Sequence, residues 1–110
     1  MGCANITINA GGQPYIANTQ VTVGTETVNV ALGWRNIQPI GYFTIRMENA
    51  IPSDATTTLP ITLTLNGVTR DLTLANGTAV TVADILNTNV LLVFNDRFNG
   101  ILALMSRTVV

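Results

Sequence analysis

Apolar and polar residues alternate with a period of two over most of this chain, the pattern of β-strands with one buried face. It is clearest from Leu59 to Leu74, where Asn66-Gly67 interrupts it. That dipeptide predicts a two-residue type I′ hairpin turn, because both central positions of such a turn need positive φ. The turn sets the register, with 65 opposite 68, 63 opposite 70, 61 opposite 72 and 59 opposite 74. Opposed residues share a face. Leu59, Ile61, Leu63, Leu65, Val68, Leu72 and Leu74 therefore fall on one side, and Thr62, Thr64, Thr69, Asp71 and Thr73 on the other. Arg70 interrupts the apolar side. Either its stem snorkels at the edge of the hairpin, or its guanidinium reaches into a subunit interface.

Elsewhere the pattern predicts further strands. Val21 and Val23 differ in parity from Val28, Val30 and Leu32, so Gly24-Thr25 must supply a turn or a bulge between them. Tyr42 to Glu48 reads as a strand with Phe43, Ile45 and Met47 on one face. A three-residue loop at Asn76-Gly77-Thr78 would set Leu74 opposite Val80 and Leu72 opposite Val82, keeping the apolar faces together. Asp84 is expected to cap a short helical turn through Ile85 and Leu86. Val90 to Phe94 and Ile101 to Met105 are apolar at consecutive positions, which predicts strands covered on both faces. In so short a chain the second cover must be another sheet or another subunit.

Composition sharpens this picture. Of the 110 residues, 47% are hydrophobic and only 10% charged, against roughly 25% charged in an ordinary soluble domain. Threonine and asparagine take over much of the surface, with Asn5, Asn87, Asn89, Asn95 and Asn99 expected in turns. The five cations are all arginine (Arg35, Arg46, Arg70, Arg97 and Arg107), and the net charge is -1. No basic stripe is available for phosphates, and no polybasic segment for a membrane surface, so neither nucleic acid nor membrane is an expected partner. Lysine usually guards exposed strand edges; its absence here suggests edges covered by bulges, by loops or by partner subunits.

The stretch Met1 to Asn5 has neither the charged nor the apolar region of a signal peptide, and no run reaches the length of a membrane-spanning helix. Synthesis and retention in the cytoplasm are expected. The sequons at Asn5 and Asn76 then read as turns, and the lone Cys3 forms no internal disulfide.

Candidate chemistry is sparse. Without histidine, no Ser-His-Asp or Cys-His arrangement can be built. The six acids, Glu26, Glu48, Asp54, Asp71, Asp84 and Asp96, are scattered, and each of the last three has a structural role to fill. Cys3 has no neighbour that would lower its thiol pKa, and no metal, phosphate-loop or dinucleotide motif is present. No catalytic residue, no cofactor and no metal is expected. Trp34-Arg35 beside Tyr42-Phe43 forms either a sugar-stacking platform or a set of core and interface anchors.

The segment from Leu72 to Leu104 resembles parts of tailed-bacteriophage virion proteins, fibres and capsid-associated proteins in particular. The resemblance is carried by Gly77, Thr81, Val82, Asp84 and Ile85 in a G-x-x-x-T-V-x-D-I/L pattern, followed by Val90 to Phe94, Asn95-Asp96, Gly100 and Ile101 to Leu104. Where those proteins carry Gly directly after Asp in the turn, this chain has Arg97-Phe98-Asn99. The resemblance implies a part of a virion, assembled in the host cytoplasm, and most nearly an auxiliary capsid or head-decoration protein.

The expected fold is all-β, an antiparallel β-sandwich or β-barrel (jelly-roll-like) of seven or eight strands. It is a single domain over residues 1–110, with 1–12 as an N-terminal arm. The expected function is structural. The partners are copies of the chain, a major capsid protein or other virion proteins, in a homo-oligomer or larger assembly. Interface candidates are Trp34, Arg35, Tyr42, Arg70 and Phe98. The alternatives are a phage fibre or receptor-binding domain and a small carbohydrate-binding module.

Overall fold

The hairpin predicted around Asn66-Gly67 is present as far as Thr62 and Asp71, but the expected pairing of 59 with 74 is not: Pro60 opposes Thr81 and the Val82 amide donates to the Leu59 carbonyl, while Leu74 pairs with Leu104. In the computed structural model, which describes residues 15–34 and 37–109, Asn66 and Gly67 have φ of 55° and 84°, as a type I′ turn requires. Leu65 opposes Val68, Leu63 opposes Arg70 and Thr62 opposes Asp71. The expected arm at 1–12, Cys3 and Arg35 lie outside the described residues.

Eight strands and one helical turn follow one another: β1 (Tyr15–Val23), β2 (Val28–Leu32), β3 (Ile40–Arg46), β4 (Ile61–Leu65), β5 (Val68–Asp71), β6 (Thr73–Leu74), α1 (Val82–Ile85), β7 (Thr88–Asp96) and β8 (Ile101–Val109). They form one sheet in the order β5-β4-β2-β1-β3-β7-β8-β6. The two ends of that order, β5 and β6, are separated in the chain only by Leu72, so the sheet curls into a nearly closed barrel. Near-closure of this kind leaves only the short end strands β5 and β6 as edges, without lysine guards. The all-β barrel expectation is met, with one difference: three of the seven strand pairings run parallel. β1 pairs parallel with β3, β2 with β4 and β6 with β8, because the segments after β2, β3 and β6 cross to non-neighbouring positions instead of turning back in hairpins.

β1 belongs to both halves of the barrel. Its first residues pair with β3 and its later ones with β2, and a bulge between Asn18 and Gln20 marks the change. The parity switch among the valines is thus resolved by the turn reading. Val23 opposes Val28 and Val21 opposes Val30 across the Gly24 to Thr27 loop. The strand over 15–20 has little apolar alternation, and the sequence reading left it unassigned.

The loop after β6 corrects the sequence expectation. Thr73 opposes Ala79, the Leu74 amide donates to the Thr78 carbonyl at 2.7 Å and the Val80 amide to the Leu72 carbonyl at 3.0 Å. The three loop residues are therefore Ala75, Asn76 and Gly77, and Leu72 faces Val80 instead of Val82. The reason is that such loops place the positive-φ residue last, and Gly77, with φ of 90°, is the residue that fits. Asp84 is corrected too. Thr81 is the N-cap of α1, and Asp84 sits inside the helix and reaches back to accept from the Thr81 amide at 2.9 Å.

The core fills the barrel with Val28, Val30, Phe43, Ile45, Ile61, Leu63, Leu72, Val80, Val82, Ile85, Leu91 and Val93, all essentially excluded from water. Removing this apolar surface from water is the main force closing the barrel.

Candidate interaction faces of the barrel

Strand register determines what the barrel presents outward. Across β3, β7 and β8 the outward residues lie in rows: Ile40, Asp96 and Ile101; Tyr42, Phe94 and Ala103; Thr44, Leu92 and Ser106; Arg46, Val90 and Thr108. The first two rows are almost wholly apolar. Ile40, Tyr42 and Ile101 are exposed, as is Met105, the extra residue of a bulge in β8. The Tyr42 and Phe94 rings lie 5.2 Å apart at 57°, a tilted aromatic contact. The consecutive apolar runs of β7 and β8 are thus buried inward by Leu91, Val93, Leu102 and Leu104, while their outward side has no second layer among the described residues. Tyr42 stands in the middle of this face.

Arg70 occupies the inward side of β5 at the barrel mouth, opposite Leu63. Its guanidinium donates from Nη1 to Asn95 Oδ1 at 2.6 Å and from Nη2 to the Ile101 carbonyl at 2.8 Å. It thereby bridges β5 to β7 and β8 across the seam with two of its N–H donors. Burial, and behind it the charge of Arg97, hold its pKa below the usual arginine value, against the opposing pull of Asp96.

Asn95 was missed as a site residue. Its place beside Asp96 predicts a turn, but it lies within β7, is 2% exposed and points inward. Its Nδ2 donates to the carbonyls of Gln38 at 3.0 Å and Pro39 at 3.3 Å while its Oδ1 accepts from Arg70. A buried amide with its groups paired in this way joins three segments. The only signal in the sequence is an alternation that, continued from Leu91 and Val93, would have turned residue 95 inward.

Phe98 stands in the β7–β8 turn, 75% exposed, and Trp34 lies just after β2, 77% exposed. Phe98 therefore adjoins the Asp96 end of the apolar face. Trp34 has no described contact that ties it to Tyr42, so the Trp34–Tyr42 sugar platform is not assembled by any observed contact. At the Arg46 end, Arg46, Met47, Glu48, Asn89 and Val90 line an open depression where Arg46 and Glu48 pair weakly at 3.8 Å. Among the described residues no group of three or more metal-ligating side chains converges, and no helix is long and apolar enough to cross a membrane.

In comparisons with known proteins, the chain matches no family model, no curated protein and no solved structure.

Proposed function

We propose that this chain is a structural protein of a virion, an auxiliary capsid or head-decoration protein that reinforces a shell by contact and carries out no catalysis. The observation behind the assembly part is the outward face of β3, β7 and β8, where Ile40, Tyr42, Phe94, Ile101 and Met105 offer apolar surface with no cover among the described residues. Contiguous exposed apolar surface of this kind marks contact with another molecule. The virion part is supported by the likeness of Leu72 to Leu104 to phage virion proteins. Affinity in such a contact is spread over a broad area, with an aromatic such as Tyr42 as the anchor.

A fibre or receptor-binding domain is the second reading, favoured by the exposed rings of Trp34 and Phe98, which suit stacking on sugars. Light scattering coupled to size-exclusion chromatography on the full chain, run over a dilution series, separates the two. The first reading predicts reversible self-association, or a monomer captured by shells that lack the protein. A trimer stable to dilution, with glycan binding lost on Trp34→Ala, would favour the fibre. A monomer binding neither shell nor glycan would sink both.

A further inference from the structure

Two of the chain's five arginines converge on one hollow at the barrel mouth. Ile37, Leu65, Asn66, Val68, Arg70, Asn95 and Arg97 line it, around a volume of about 130 Å³. The nearby acid, Asp96, accepts from the Asn99 amide at 3.3 Å and from Asn99 Nδ2 at 2.7 Å, and acts on Arg70 only through its charge. The acceptors that hold Arg70 are neutral, a side-chain amide and a backbone carbonyl. Arg97 is placed by its backbone amide, which donates to the Pro39 carbonyl at 2.8 Å. Among the described residues its side chain makes no hydrogen bond or ion pair. Two like charges therefore line one hollow, Arg70 half-buried and Arg97 exposed, and an anion between them would relieve their mutual repulsion. Guanidinium groups match the planar fork of a carboxylate, and Ile37, Leu65 and Val68 make the apolar part of the remaining wall, beside Asn66 and Asn95.

We propose that this hollow binds a single carboxylate carried on a small apolar group. Arg97 is its principal partner, the N–H groups left over on Arg70 are the second, and Ile37, Leu65 and Val68 hold the apolar part. The Arg70–Asn95 bond fixes one guanidinium in advance, so less ordering is lost on binding. The site does not depend on whether the face of β3, β7 and β8 is covered. The carboxylate belongs either to the terminus of a protein segment or to a small free acid.

Butyrate titrated into the ¹⁵N-labelled full chain, followed by NMR at constant ionic strength, tests this. Saturable shifts are expected at the amides of Asn66, Val68, Arg70, Asn95 and Arg97, with no comparable response to butyramide, the uncharged analogue. Arg97→Gln removes one charge-assisted partner and should weaken binding about tenfold with the melting temperature unchanged. Equal responses to butyrate and butyramide, the same response to chloride, or full affinity in Arg97→Gln would overturn the proposal. An acetylated Ala-Val dipeptide with a free carboxyl end, compared with its amide, identifies the source. If the free dipeptide binds more tightly than butyrate, the carboxylate is that of a protein terminus. If the two bind equally, the site is one for small acids; either ranking upholds the carboxylate site.

Discussion

The barrel has two outward faces of opposite character. Across β2, β4 and β5, with the second half of β1, the outward rows are Thr22, Asn29, Thr62 and Asp71, then Gln20, Ala31, Thr64 and Thr69. Asn29 Nδ2 donates to the hydroxyls of both Thr62 and Thr64 at 2.9 Å, and the Thr64 and Thr69 hydroxyls share a bond of 2.7 Å. Across β3, β7 and β8 the rows nearest Ile40 hold Ile40, Tyr42, Phe94 and Ile101 beside Asp96, and only the rows toward Arg46 turn polar with Thr44, Ser106 and Thr108. A chain with few charges has therefore covered its surface in two ways. One half pairs uncharged polar groups among themselves, and the other leaves apolar side chains exposed. Composition averages over these halves; only the register separates them.

Asn95 and Arg70 hold the halves together at the seam, and breaking that joint should have the largest effect on the folded chain. Asn95→Leu leaves the Arg70 guanidinium short of an acceptor and the Gln38 and Pro39 carbonyls short of a donor. The expected loss is about 3 kcal/mol, a fall in melting temperature on the order of 15 °C. Calorimetry checks it, and a loss below about 1 kcal/mol would mean that the β7–β8 ladder alone secures the mouth.

A carboxylate placed on each face in turn tests the contrast directly. Tyr42→Glu should weaken association with a copy or a shell by about 100-fold, the scale of a central aromatic anchor. Thr64→Glu should leave association unchanged. Sedimentation velocity over a dilution series, or a shell-binding assay, reads both variants. Equal losses would show that the polar face also takes part, and no loss from Tyr42→Glu would remove the apolar face as the contact.

How much of this was legible follows from which features are local. The hairpin at Asn66-Gly67 and its Leu63–Arg70 pairing were readable because a two-residue turn and two alternating strands over-determine one register. The continuous apolar runs of β7 and β8 led to the expectation of a cover on both faces; among the described residues only the inward side is packed, and Ile101 and Met105 stay exposed. The first part of β1, residues 15–20, was hidden, because Ala17, Asn18, Thr19 and Gln20 give no alternation. Its order comes instead from distant partners: Asn18 exchanges bonds with Asn49, donating to its carbonyl at 2.7 Å and accepting from its amide at 2.9 Å. The parallel pairings and the inward turn of Asn95 are likewise long-range facts, fixed by closure of the barrel. Among the interface candidates, Tyr42 was found on the apolar face because strand parity puts it there. The bonds of Arg70 to Asn95 and Ile101 depended on β7 and β8 reaching the seam, which no local pattern encodes.

The smallest effect is expected from Thr64→Val combined with Thr69→Val, and it probes what the polar face is for. The two hydroxyls bond to each other and Thr64 Oγ1 also accepts from Asn29 Nδ2, on a surface open to water, so replacing both with an isosteric apolar side chain removes the donor and acceptor of the threonine pair together. Stability should then change by less than about 1 kcal/mol, since β-branched pairs suit opposed strand positions and no buried group is orphaned. Asn29 retains Thr62 as an acceptor. The expected consequence lies in solution behaviour: the second face now resembles the first, and the variant should associate further at concentrations where the parent has reached a limiting size. Light scattering that shows open-ended growth would mean the threonine and asparagine rows limit assembly to one side of the barrel. An unchanged limiting size, with melting temperature held, would mean that the shape of the apolar face, and not its apolar character, selects the partner.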